Sequence, residues 1–216
     1  MTAGERAPGA CSPAGEPAGR DMVDVILDLV AERLPPDFEP ALFREVARIV
    51  PWIARESAAG IHPVRGNRAA DGSLLIARRA KLVIRLPRDK VCAASVLEQA
   101  TLAVNGTPLR LGQGTYRRLQ AAQTLYSPRV VTGDDDEVAF TETIEAEIRR
   151  LGVRGSLICG RRTRIAREGR ELAAWSLAIH GLAAEASLVL QHAGLGSHRD
   201  IGCGILVPHK TIHTYD

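Results

Sequence analysis

The sequence predicts an α+β fold, two ferredoxin-like units in tandem (βαββαβ twice) with a glycine-rich loop before the last strand. Three observations carry this: one order of strand-like and helix-like periods appears twice, apolar stripes mark a helix at matching places in each half, and 216 residues at 45% apolar composition suffice for two small cores. Residues 1–20, rich in Ala, Gly, Pro and Glu, are expected to be a disordered tail. Residues 21–120 and 121–216 are expected to be the N-terminal and C-terminal ferredoxin-like domains.

In the first half Met22 to Val30 is apolar and β-branched enough for a strand. Glu39 to Val50 then sets Leu42, Val46, Ile49, Val50 and, just beyond, Ile53 on one helical stripe, which Pro51 should end or kink. An extended stretch from Gly60 to Val64 and a turn at Gly72 lead to strands at Leu74–Ala77 and Ala80–Leu86. In the latter, Leu82, Ile84 and Leu86 share one face and Lys81, Val83 and Arg85 the other. Pro87 to Gln99 reads as a short helix, and Ala100 to Leu111 as a strand or a broken pair.

The second half repeats the order. Gln123–Val131 reads as a strand, and a helix from about Asp135 to Leu151 carries Phe140, Ile144, Ile148 and Leu151 on one stripe. The acidic run Asp134, Asp135, Asp136 and Glu137 sits at its N-terminus, where negative charge is favoured, and Gly152 stops it. Strands at Ser156–Ile165 and Leu172–His180, a helix at Leu182–Ala193 and a last strand at Gly202–Val207 complete the unit.

The longest apolar runs fall far short of the roughly 20 residues of a membrane-spanning helix, so no membrane association is expected. Cys11, Cys92, Cys159 and Cys203 are scattered without C-x-x-C spacing, which argues against a zinc site or a disulfide framework and points to a reducing cytoplasm. No cofactor is expected. The net charge is only +3, so a polyanionic partner must be argued from where the arginines lie. Arg154, Arg161, Arg162, Arg164, Arg167 and Arg170 face only Glu168 in their segment, and Arg78, Arg79, Lys81 and Arg85 form a second run.

The segment from Gly194 to Gly204, between a predicted helix and a predicted strand, is the most informative. It is no dinucleotide fingerprint, because that motif runs from strand into helix and Arg199 stands at the third glycine position. Gly112-Gln113-Gly114-Thr115 likewise lacks the spacing and lysine of a P-loop. Glycine at Gly194, Gly196, Gly202 and Gly204 would let backbone N–H groups cradle phosphate oxygens, with charge-assisted bonds from His198 and Arg199. The plainer alternative is a helix C-cap at Gly194 and a bulge at Gly202 and Gly204.

Gly194 to Lys210, GLGSHRDIGCGILVPHK, resembles the C-terminal glycine-rich loop and last strand of the CRISPR repeat-processing endoribonucleases of type I systems. MVDVILDLV at Met22, GIHPVRG at Gly60 and the Ile158–Gly160 run look like the same family. The resemblance implies a tandem ferredoxin-like fold, CRISPR repeat RNA as substrate, metal-independent cleavage by the ribose hydroxyl beside the scissile phosphate, and a crRNA product retained in a type I surveillance complex with other subunits. The alternative is a catalytically inactive repeat-RNA-binding subunit. The RNA contacts it implies are Arg161, Arg162, Arg164, Gly194, Gly196, His198, Arg199, Gly202, Gly204 and Lys210.

In that family the catalytic histidine usually lies on or just after the first helix, and His62 is the only histidine there. A neutral imidazole could take the attacking hydroxyl's proton, and Arg65 could steady the phosphorane charge. His198 is the second candidate, more in keeping with an RNA contact; His180 reads as structural. His209 and His213 have zinc-like spacing but no third ligand nearby, so no metal site is expected. Some family members place a tyrosine or lysine beside the histidine; neither occurs before Lys81, so no second proton-transfer group is assigned.

Overall fold

The computed structural model describes residues 5–6, 21–167 and 169–210, which form two compact units that divide between Arg118 and Leu119. The expected tail falls outside the described residues except for Glu5–Arg6, which pair as a short strand with Tyr116 and Thr115.

In the first unit β1 (Met22–Val30) lies between β3 (Lys81–Pro87) and β5 (Thr107–Arg118), and the two-residue β2 (Gly60–Ile61) borders β3, all antiparallel. The spatial order β5-β1-β3-β2 is the ferredoxin-like one. Helix α1 (Phe38–Ile49) buries Phe38, Ala41, Leu42 and Val46, and Pro51 converts its end into a 3₁₀ turn over Pro51–Arg55. This stripe packs on Val25, Leu27, Leu82 and Ile84, the inward row of the central strands.

Three expectations change here. The helix expected over Pro87 to Gln99 breaks into a 3₁₀ turn at Arg88–Lys90, the single turn α2 (Val91–Ala94) and another 3₁₀ turn at Ser95–Leu97. Ser95 Oγ donates to the Cys92 carbonyl at 2.8 Å, the local back-bonding by which serine competes with helical hydrogen bonds. The segment read as one strand or a broken pair is a hairpin of β4 (Thr101–Val104) and β5, and β5 runs on to Arg118. Asn105 and Gly106, with φ of 46° and 80°, supply the left-handed pair its two-residue turn requires. Gly112 and Gly114 lie within β5 near a register shift opposite Leu27 and Leu29, and a Cβ on Gly112 would stand 2.7 Å from the Asp28 Cβ. Gly66–Arg68, not foreseen as a strand, joins Leu74–Ile76 and Arg33–Leu34 in a small separate sheet.

In the second unit the order is β7 (Ser156–Arg167), β8 (Arg170–His180), β6 (Thr124–Val130) and β9 (Val207–Pro208), again ferredoxin-like. Helix α3 (Glu137–Arg150) starts at Asp136, whose Oδ2 accepts from the N–H groups of Val138 and Ala139, each at 3.0 Å. Its Phe140, Ile144 and Ile148 pack with Leu190 of α4 (Ala184–Ala193) against Trp175, Leu177 and Ile179. The last strand is shorter than expected. Only Val207 and Pro208 pair with β6, because Gly202 and Gly204 take left-handed φ of 80° and 69° and keep their segment out of the ladder. Among the described residues no helix is long and apolar enough to cross a membrane.

Candidate active site and nucleic-acid interface

Alternation along β1 points Val23, Val25 and Leu27 to the helices and Asp24 to the opposite sheet face. Asp24 stands directly across from Arg85 on β3 and from Arg117 on β5, so one row of the sheet reads positive, negative, positive. Arg85 donates to both carboxylate oxygens, Nε to Oδ1 at 2.8 Å and Nη2 to Oδ2 at 3.2 Å. Both side chains are only 3% exposed. Arg117 reaches Oδ2 at 3.4 Å while remaining 51% exposed, so it can serve this row and still meet a ligand.

His62 enters the row from the end of β2. Its N–H donates to the Val83 carbonyl at 2.8 Å, and Pro63 behind it restricts its backbone to extended angles. The ring places Nε2 3.1 Å from Asp24 Oδ1, with 13% of the side chain exposed. Burial is the chief cause that lowers the His62 pKa; the Asp24 contact works against it, and the charges of Arg85 and Arg117 push it down again. Burial alone would raise the Asp24 carboxyl, but hydrogen bonds and charge from His62 and Arg85 outweigh it and hold the group well below the usual carboxylate range. The outcome is a neutral imidazole against an ionised carboxylate.

The cluster joins His62, the expected base, to Asp24 and Arg117, which the sequence reading did not single out, and to Arg85, which it read only as part of the second basic run. Arg65 is exposed, with no ion pair or hydrogen bond to the His62 cluster among the described residues. The second basic run is not a free basic patch either: Lys81 pairs with Asp28, and Arg85 is buried against Asp24.

In the second unit the glycine-rich loop follows α4, with Leu195 in the helix-side core and the later part of the loop over the other sheet face. Ile201 and Cys203 pack there on Val131 and Ala174. The expected phosphate cradle of backbone N–H groups is not what the loop presents. Gly194 N–H donates to the Leu190 carbonyl, Gly196 to Glu147 Oε2, Gly202 to the Arg199 carbonyl and Gly204 to the Arg129 carbonyl. Glycine is required for a different reason, close backbone approach at positive φ. A Cβ on Gly204 would stand 1.9 Å from the Leu195 carbonyl oxygen, and one on Gly196 2.4 Å from that of Val131.

The loop's side chains are placed by the same packing. Arg167 donates to Asp200 Oδ2 at 2.6 Å and lies 3.1 Å from His198 Nδ1. A guanidinium can only donate, so that ring nitrogen is the acceptor and its lone pair is engaged. Arg199 donates to the Ala193 carbonyl, which ties the loop to the end of α4. On β7, Arg161 lies exposed in a bulge where Gly160 passes so close to Ser176 that a Cβ would sit 2.4 Å from its hydroxyl. Arg162 pairs with Asp135 at 2.5 Å and stacks over Trp175, and Arg164 pairs with Glu171 at 2.7 Å. Lys210 is exposed.

Gly204→Ala should therefore loosen the loop strongly, combining steric overlap with a strained φ that by itself costs about 1–3 kcal/mol. Gly152→Ala is the control, since Gly152 has a φ of 70° but nothing within 4 Å of its added Cβ. Urea unfolding should show a clearly larger loss for Gly204→Ala; equal losses would mean that the close approach to Leu195 is unimportant.

Two ferredoxin-like units in one chain, the second closed by a glycine-rich loop, define a tandem ferredoxin-like protein. A family model described as Cas6 Crispr matches residues 23–211, and the chain belongs to the Cas6 family. It is 31% identical over 189 residues to the CRISPR-associated endonuclease Cas6 of Myxococcus xanthus (strain DK1622), covering 87% of this chain and 81% of that one. The fold is similar to a solved CRISPR associated protein Cas6, with a TM-score of 0.64 at 9% identity over 88% of this chain and 100% of the other. It is also similar to a RAMP protein described as binding different RNA substrates, with a TM-score of 0.61 at 13% identity over the same shares, 88% and 100%.

Proposed function

We propose that this Cas6-family protein is an endoribonuclease that cuts precursor CRISPR RNA within its repeats, by attack of the ribose 2′-hydroxyl on the adjacent phosphate and without a metal ion. Endonuclease action on CRISPR RNA is supported by the family and by the Myxococcus relative. The observation that carries the mechanism is His62, a largely buried imidazole held 3.1 Å from the Asp24 carboxylate, which the half-exposed Arg117 also reaches. A base there can take the hydroxyl proton, and Arg117 is better placed than Arg65 to meet charge growing on the phosphorane oxygens. On this reading the nucleophile is supplied by the RNA itself, and the protein's part is to position it and take its proton.

Arg161 and Lys210, with Arg162 and Arg164 once exchanged from their acidic partners, would neutralise backbone phosphates. His198 and Arg199 would add contacts from the loop. The cleaved RNA would stay bound as part of a surveillance complex with other subunits.

The test is cleavage of repeat RNA from the protein's own locus, with excess EDTA present and with a single deoxyribose just upstream of the cut. Cleavage should persist in EDTA, leave a cyclic phosphate and stop with the deoxyribose substrate. Loss of activity in EDTA, or cutting of the deoxyribose RNA, would overturn the mechanism.

A further inference from the structure

The Asp24 carboxylate accepts every hydrogen bond that reaches it: Arg85 on both oxygens, Arg117 on Oδ2, and the His62 ring on Oδ1. An ionised carboxylate has no proton to give, so the imidazole nitrogen facing it must carry the hydrogen. That nitrogen is Nε2. A neutral imidazole has one N–H, which leaves the lone pair on Nδ1, a nitrogen with no hydrogen-bond partner among the described residues.

We propose that Asp24 is a positioning residue for RNA cleavage: clamped by Arg85 and Arg117, it holds Nε2–H of His62 and commits the ring to present Nδ1 as the atom that takes the 2′-hydroxyl proton. This rests on the reading of His62 as the base. The 2′-oxygen passes its proton to Nδ1 and bonds to phosphorus while the bond from phosphorus to the 5′-oxygen breaks. The electron pair of that bond leaves on the 5′-oxygen, which takes a proton from water, and Nδ1 then releases its own to the solvent. While the ring is charged, Asp24 lies against it as a counter-ion, so proton transfer does not leave an isolated cation on a largely buried group. The glycine-rich loop gives the contrast, because Arg167 already engages His198 Nδ1.

The closing experiment reads tautomer and rate separately. Nitrogen-15 NMR of histidine-labelled full-length protein at neutral pH, with the His62 signals assigned from the spectrum of His62→Gln, should show Nε2–H and an unprotonated Nδ1. The opposite tautomer, or a charged ring, overturns the proposal, and this measurement needs no variant of Asp24. In single-turnover cleavage, Asp24→Asn should cut on the order of 10- to 100-fold more slowly, with a shifted inflection in the pH–rate profile and RNA affinity within about twofold of the parent. An Asp24→Asn protein that folds and cuts at the parent rate with the parent pH profile also overturns it. If His62→Ala cuts normally, the base assignment fails. If His62 is required but carries its proton on Nδ1, only the role of Asp24 fails.

Discussion

His62→Ala should slow repeat cleavage about 10²- to 10⁴-fold, the usual contribution of a general base, with RNA affinity nearly unchanged. His62 contacts Asp24 and the Val83 carbonyl, and only the first of these is lost with the ring, so the sheet row is retained. Arg85 and Arg117 still satisfy the carboxylate. Single-turnover assays beside filter binding separate the two effects. His198→Ala is the counterpart, expected to weaken binding and to leave the cleavage rate of bound RNA close to that of the parent. If His198→Ala abolishes cleavage at full occupancy while His62→Ala cuts normally, the base lies in the glycine-rich loop.

The order of elements was legible because strands and helices leave different apolar periods, and Leu42, Val46, Phe140 and Ile144 all lie in the cores where those periods put them. Of the proposed site, His62 was singled out only through family resemblance. Its partners were not, since a period of two assigns Asp24 and Arg85 to a polar sheet face and says nothing of which strand lies beside which. Their meeting follows from register, with Gly60, Arg85, Asp24 and Arg117 brought into one row from four strands. The Asn105-Gly106 turn was a local signal that would have decided for the pair in a run read as a strand or a broken pair. The last strand was drawn too long because Ile205, Leu206 and Val207 form an apolar run, whereas Ile205 and Leu206 are buried without joining the ladder.

Arg85→Ala should cost the first unit about 3–5 kcal/mol, because it strands a carboxylate that is barely exposed and leaves it His62 and the more distant Arg117. Replacing both members, Asp24→Leu with Arg85→Met, should cost less than either single change, since no buried charge then lacks its partner. Urea denaturation of the three variants decides, and a double variant as unstable as the sum of the singles would contradict this account. The same cluster sets the acid response. The folded pKa of His62 is lowered from 6.5 and that of Asp24 from 3.8, so each contributes stability that is complete above its unfolded value and is lost as pH falls toward the folded one. Softening should begin below about pH 6.5 and deepen below about pH 3.8, and the first step should be absent from His62→Gln.

The internal hydrogen bonds of the glycine-rich loop also bear on the thermodynamics of association. The backbone from Gly194 to Gly204 surrenders its conformational entropy when the second unit folds, on the order of 1–2 kcal/mol per residue. On the binding role proposed for it, an RNA strand docking there orders side chains and solvent but no backbone. The heat-capacity change should then be the small negative one of two preformed surfaces meeting, without the large one of coupled folding. The rate of capture is correspondingly set by electrostatic encounter between the arginines and the phosphates, with no folding step to wait for.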